Sequence, residues 1–269
     1  MSKPRNIILT GGSSGLGLAL ALPLLRRGDR LTLIARDPAK LDAAVAQLRA
    51  QVAGAYVEAM SLDVSGPDIE AGIANAVKAM GGLDMLINCA GILREGYVET
   101  LTEQDYRQTM DINFFGTLRT VRAALPYLKQ SRHGHIVNVA SVAALTGVFG
   151  YTAYCSSKYA LLGFSEALRA ELAPQGITVQ VACPPEFDSP MVDALDATRT
   201  PENQAHTLTI PKMSIEGIVE ALMAGMESSN FLIVPGAQTR LMALGIRHFP
   251  AISRWVADRR IRSVYQGPR

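Results

Sequence analysis

The sequence predicts an α/β protein: a doubly wound sheet of seven parallel strands with helices on both faces. Three observations carry that prediction. Short β-branched runs alternate with longer stretches of helical apolar spacing, the pattern of repeated βαβ units. Runs such as LTLIA and IVNVA are apolar at consecutive positions, as strands covered on both faces are. A glycine-rich turn follows the first run and opens the first helical stretch, in the place where such sheets gather phosphate groups.

In chain order, residues 6–10 form the first strand, TGGSSGLG the turn, and 16–27 the first helix. Residues 30–35 and 55–61 are the next two strands, with helices at 39–50 and 68–80 between good helix formers. The fourth strand, 85–88, runs into Asn88-Cys89-Ala90-Gly91, after which 102–130 reads as one long helix. Strands at 135–140 and 178–183 flank a helix at 153–173, and 214–227 and 231–234 supply the last helix and strand. Two stretches break this rhythm. Residues 184–213, rich in Pro, Asp and Thr, follow the sixth strand where a doubly wound sheet opens its crevice, and they read as a mobile lid. Residues 237–269 extend the 1–236 domain as a basic amphipathic appendix.

The composition narrows the function classes. With 48% hydrophobic and 19% charged residues in 269, the chain can fill the core of one large domain and is not disordered. The net charge of +2 is uneven: the last thirty positions hold seven arginines against Asp258, leaving the rest at −4, which argues against nucleic acid on the main body. Cys89, Cys155 and Cys183 form no CxxC and read as reduced, buried thiols; the four histidines have no metal-ligand spacing. No run of about 18–20 apolar residues occurs, and MSKPRNIILTGG leads straight into a strand, so the expectation is a cytoplasmic protein. In 238–269, Leu241, Leu244, Ile252, Trp255 and Val256 interleave with arginines, which suits either an anionic lipid surface or packing on protein.

Gly11, Gly15 and Gly17 give the backbone close approach to a pyrophosphate met by helix N–H groups, so a dinucleotide is expected there. At the end of the second strand, Ala35 stands where an acid would hold a free ribose diol. Arg36 follows it and Lys40 comes four later, which favours the 2′-phosphate of NADPH; the alternative is a surface arginine with Asp37 capping the next helix. Asp63 suits the adenine amino group, or merely caps a turn. Tyr154 and Lys158 are an i,i+4 pair on one helix face, placing an ammonium near a phenol that it would acidify. Ser141, after the fifth strand, suits a substrate carbonyl or a turn cap. Asn113 sits in a helical stretch where Asn is intrinsically poor and reads as kept for its amide, or as a buried tie between helix and sheet.

Together TGGSSGLG, NCAG, Asn113, Ser141, Tyr154 and Lys158 resemble the short-chain dehydrogenase/reductase family over roughly residues 5–235. That resemblance implies a Rossmann fold and NADP chemistry. It implies a catalytic tetrad of Asn113, Ser141, Tyr154 and Lys158, with Asn113 keeping a water in a proton relay to Lys158 and Lys158 on the nicotinamide ribose. The cofactor-binding set it implies is Gly11, Ser13, Ser14, Gly15, Leu16, Gly17, Arg36, Lys40, Asp63, Val64, Asn88, Ala90, Gly91, Tyr154, Lys158 and Pro184. It also implies a homodimer or homotetramer built through the long helices. Within the family, TLIARDPAKL, DMLINCAGI and GVFGYTAYCSSKYALLGFSEAL are most similar to the 3-ketodihydrosphingosine reductases, and Pro184-Pro185-Glu186 resembles their Pro-Pro-acid where most members have Pro-Gly. An apolar long-chain ketone is the substrate this implies, with Phe187, Met191, Val192, Leu195, Leu208, Val148 and Phe149 as its wall. Those enzymes in eukaryotes usually begin with a membrane segment that this sequence does not show, a departure that suggests a soluble bacterial relative or a different lipid ketone.

Overall fold

The computed structural model describes residues 4–197 and 199–266. Strands β1 (Asn6–Thr10), β2 (Arg30–Ala35), β3 (Val57–Ser61), β4 (Met85–Asn88), β5 (His135–Val139), β6 (Thr178–Ala182) and β7 (Leu232–Ile233) form one parallel sheet. Its order is β3-β2-β1-β4-β5-β6-β7. The order reverses between β1 and β4, where Thr10 pairs with Asn88, so a crevice opens beyond their C-terminal ends. Alternation along the strands feeds two cores: Ile7 and Leu9 enter one, Ile8 the other. Helices α1 (Gly15–Arg26), α2 (Pro38–Gln51) and α9 (Ile215–Met226) cover the first. The second lies under α3 (Ile69–Met80), α5 (Gly116–Leu128) and α6 (Thr152–Leu172).

One expectation changes and two stretches gain detail. The long helix expected over 102–130 is α4 (Glu103–Met110), a π-type turn over Asp111–Phe115, and α5. The widened turn carries Asn113, whose side chain is held by bonds outside the helix, a common setting for such insertions. The 184–213 stretch expected as a lid contains α7 (Pro190–Asp196) and α8 (Pro201–Thr207), each begun by a Ser or Thr cap and a proline. The extension is a helical hairpin, α10 (Ala237–His248) and α11 (Pro250–Tyr265), broken at Phe249-Pro250, and α11 packs on α8.

Candidate active site

The glycine turn is shaped by close approaches. Gly11 (φ +71°) and Gly15 (φ +52°) occupy the left-handed region that side chains disfavour. A Cβ on Gly11 would meet the Ala90 nitrogen at 2.8 Å, and one on Gly17 would run into the Gly11 carbonyl. The Thr10 hydroxyl accepts from the N–H groups of Cys89 and Ala90, both at 3.2 Å, which ties this turn to the loop after β4. Ser14 begins α1 without a side-chain cap, and the first turn holds no acid, so the N–H groups there are open to an anion.

At the end of β2, Asp37 caps α2 by accepting from the Lys40 N–H at 3.1 Å, as its alternative reading had it. Arg36 and Lys40 nevertheless line the cleft, 60% and 69% exposed, each with a carboxylate no closer than 4.0 Å. Asp63 accepts from the Ser65 hydroxyl (2.6 Å) and N–H (2.9 Å), so the turn-capping reading also describes it. Burial pushes its carboxyl up, but those bonds and the Arg36 and Arg119 cations outweigh it and leave the group below the usual range.

Ser141 ends the extension of β5 and caps a short 3-10 turn, accepting from the Ala143 N–H at 3.2 Å. Tyr154 and Lys158 project from α6 into the same cleft. Burial pushes the Tyr154 phenol far above its ordinary value, the neighbouring Ser141 hydroxyl opposing it only in part. Burial pushes Lys158 down to about 8. The expected acidification of Tyr154 by Lys158 is therefore corrected. The ammonium sits 5.5 Å from the phenol ring centroid and donates instead to the Val139 carbonyl at 3.0 Å, while burial of the phenol dominates.

Asn113 is wholly buried, and the tie it makes is to a loop and a helix. Its Oδ1 accepts from the Ile92 N–H (2.8 Å), and its Nδ2 donates to the Ile92 carbonyl and to Ser157 Oγ (both 2.9 Å). Its side chain thus fixes the wall beside Gly91, where a Cβ would lie 3.2 Å from Asn113 Oδ1 and 3.6 Å from Lys158 Nζ. Asn88 is a correction. It donates to Asn138 Oδ1 (2.9 Å) and accepts from the Thr120 hydroxyl (2.7 Å), so its amide is spent inside the sheet–helix layer and does not face the cleft.

The remaining proposed cofactor positions, from Gly11 to Pro184, all line a single cavity of about 380 Å³ together with Ser141. Among the described residues no cluster suits a metal ion. All three cysteines are free, with Cys155 and Cys183 buried and Cys89 only half-buried at the cleft, where burial raises its thiol to about 11. Of the expected apolar wall, Val148, Phe187, Met191 and Val192 line the cavity; Leu195 packs behind it, Phe149 does not reach it, and Leu208 points outward. Sequence reasoning missed Tyr151, which lines the cavity and stacks edge-on with Tyr154 at 5.7 Å; its i,i+3 spacing from Tyr154 was the available signal. It also missed Arg199, whose ion pairs with Glu186 and Asp196 (2.9 Å each) hold α7 and α8 to the strand end.

The family profile described as short chain dehydrogenase matches residues 5–200. The chain is 34% identical over 230 residues to the 3-ketodihydrosphingosine reductase of Bos taurus, covering 84% of this chain and 69% of that one. Among solved structures, a short-chain dehydrogenase from Sphingobium yanoikuyae in complex with NADPH matches with a TM-score of 0.77 and 28% identity, over 93% of this chain and 95% of that one. A short-chain dehydrogenase/reductase from Burkholderia phymatum in complex with NAD matches with a TM-score of 0.79 and 26% identity, over 91% and 95%. The fold, the cleft and these matches agree on one conclusion: this chain belongs to the short-chain dehydrogenase/reductase family and is an NAD(P)-dependent oxidoreductase.

Proposed function

We propose that the chain is an NADPH-dependent reductase of a long-chain lipid ketone, with 3-ketodihydrosphingosine as the substrate and dihydrosphingosine as the product. The observation that carries the substrate class is the apolar wall beyond Tyr154, made by Leu93, Val148, Phe187, Met191, Val192 and Ile210. The name of the Bos taurus relative supports the sphingoid choice.

The residues present fit the cofactor. The glycine turn leaves the room that a Cβ would fill, the open end of α1 meets a pyrophosphate, and Arg36 with Lys40 would hold a 2′-phosphate. The nicotinamide, when bound, supplies the hydride to the carbonyl carbon. Ser141 and Tyr154 orient the ketone by donating to its oxygen, and Tyr154 Oη gives up its proton there as the alcohol forms. A phenol is protonated at neutral pH, the state a proton donor needs. Lys158, buried in the same cleft and held by the Val139 carbonyl, would donate to the nicotinamide ribose. Asn113 positions the wall between Gly91 and α6.

The test compares 3-ketodihydrosphingosine with a 3-oxoacyl thioester and a small water-soluble ketone, following NADPH absorbance with purified protein. The sphingoid ketone should show a kcat/KM at least about tenfold above the thioester. Preference for the thioester would remove the sphingoid assignment and leave the reductase chemistry intact.

A further inference from the structure

The C-terminal hairpin exposes apolar side chains that the reductase chemistry does not use. Leu241, Leu244, Phe249, Ile252, Trp255 and Val256 all lie open, Leu241 at 72% and Trp255 at 59%. Their placement on the helices is orderly. At about 100° per residue, Ile252, Trp255, Val256 and Arg259 fall within one narrow arc of α11, and the half-buried Ser253, Ala257, Ile261 and Val264 fall nearly opposite. In α10, Leu241, Leu244 and His248 stand opposite the half-buried Met242 and Ile246 in the same way. Each helix therefore has a packed side and a second apolar side with no cover.

Charge decides what covers it. Residues 237–266 carry six arginines and one acid, Asp258, and among the described residues none of the six pairs with a carboxylate. Arg259 lies over the Trp255 ring, 5.6 Å from its centroid. A second copy would bring like charges together, and a nucleic acid would leave the apolar stripe in water. An anionic bilayer surface satisfies both, with arginines at the headgroups and the aromatic and aliphatic tips just below them. The hairpin is also tied to the cleft: α11 packs on α8, Tyr265 lies beside Glu202 of α8, and Thr207 at the end of α8 lines the cavity. We infer that α10 and α11 form a docking surface for anionic lipid membranes, seating the cleft beside the bilayer in which an apolar ketone resides.

Trp255 is the chain's only tryptophan and so reports on this surface directly. With full-length protein, vesicles of phosphatidylcholine containing about 30 mol% phosphatidylglycerol should shift its emission to the blue and carry the protein down on sedimentation, while pure phosphatidylcholine should do neither. Raising the salt should weaken binding several-fold. Arg259→Gln and Arg260→Gln should each lower the partition coefficient about fivefold. The double change Ile252→Ser with Trp255→Ser should abolish sedimentation, while turnover of a water-soluble ketone, unchanged, shows the fold intact. No blue shift and no sedimentation with anionic vesicles would overturn the inference. So would a lipid-free blue shift that grows with protein concentration, since a second copy would then cover the stripe. No substrate enters the vesicle assay, so its outcome is separate from that of the sphingoid reading.

Discussion

The two ends of one sheet treat polar side chains in opposite ways. At the N-terminal end they are spent on each other. Asp29 takes the Arg5 N–H (3.0 Å) and the Arg27 guanidinium, and Glu227 takes both arginines at 2.6 Å. Asp84 accepts from the Asn6 N–H (2.9 Å) and the Ser131 hydroxyl (2.6 Å). His135 meets Gln180 at 2.8 Å, and the Gln180 amide reaches the carbonyls of Gly225, Ser228 and Asn230. At the C-terminal end, the open turn of α1, Arg36 and Lys40 face a cavity with distant partners or none. Polar groups satisfied by protein hold the domain closed at one end, and groups left for a ligand define its chemistry at the other.

The largest effect should come at the C-terminal end and leave the fold alone. If Tyr154 is the group that protonates the ketone oxygen, Tyr154→Phe removes that proton, so kcat should fall about a thousandfold while dinucleotide affinity by fluorescence titration stays within about twofold. Retained turnover would detach the phenol from the chemistry.

The next effect belongs to the N-terminal end and to stability. Burial pushes His135 down to about 4 from its ordinary 6.5. Between those values the unfolded chain binds the proton and the folded one does not. The stability is therefore complete above the unfolded value and lost as pH falls toward 4, by up to about 3 kcal/mol. Denaturant melts from pH 7 to 4 measure this, and His135→Gln should flatten that part of the slope. An unchanged slope in the variant would place the acid sensitivity elsewhere.

The same contrast explains what the sequence made legible. TGGSSGLG, Ser141 and the Tyr154–Lys158 pair are local patterns at strand ends or on one helix face, so spacing alone brings them to the cleft. The N-terminal end is held by pairs such as Arg5 with Glu227, separated by 222 positions, which no window along the chain can reveal. Asn88 was misread for a related reason. It closes a strand like a cleft residue, but its partners Asn138 and Thr120 arrive from β5 and α5, and only the register of β4 on β5 brings Asn138 opposite it. The π-type turn at Asn113 was hidden because it depends on Ile92 and Ser157, on two other elements.

Residues 184–213 show a smaller version of the N-terminal pattern placed at the C-terminal end. Arg199 has only 8% of its side chain exposed, and it joins Glu186 after β6 to Asp196 of α7. Arg199→Ala leaves Glu186 half-buried without its cation, which should loosen this segment by about 2 kcal/mol and, if it acts as a lid on the substrate, raise the KM for the ketone about thirtyfold. Dinucleotide affinity should not change. A rise in the cofactor constant instead would mean that the segment orders the nucleotide half as well.

The smallest effect tests whether the open cations are ligands or ordinary surface. Arg36 is well exposed, and Asp63 at 4.0 Å is its near carboxylate, so it contributes little to the fold. If it meets a 2′-phosphate, Arg36→Ala should weaken NADPH about tenfold, the scale of one charge-assisted hydrogen bond, and leave NADH unchanged. Titration of both dinucleotides measures the ratio. Equal loss for the two would show that Arg36 acts on the shared adenosine through Asp63, and the discrimination would then fall to Lys40, whose backbone Asp37 already fixes at the start of α2.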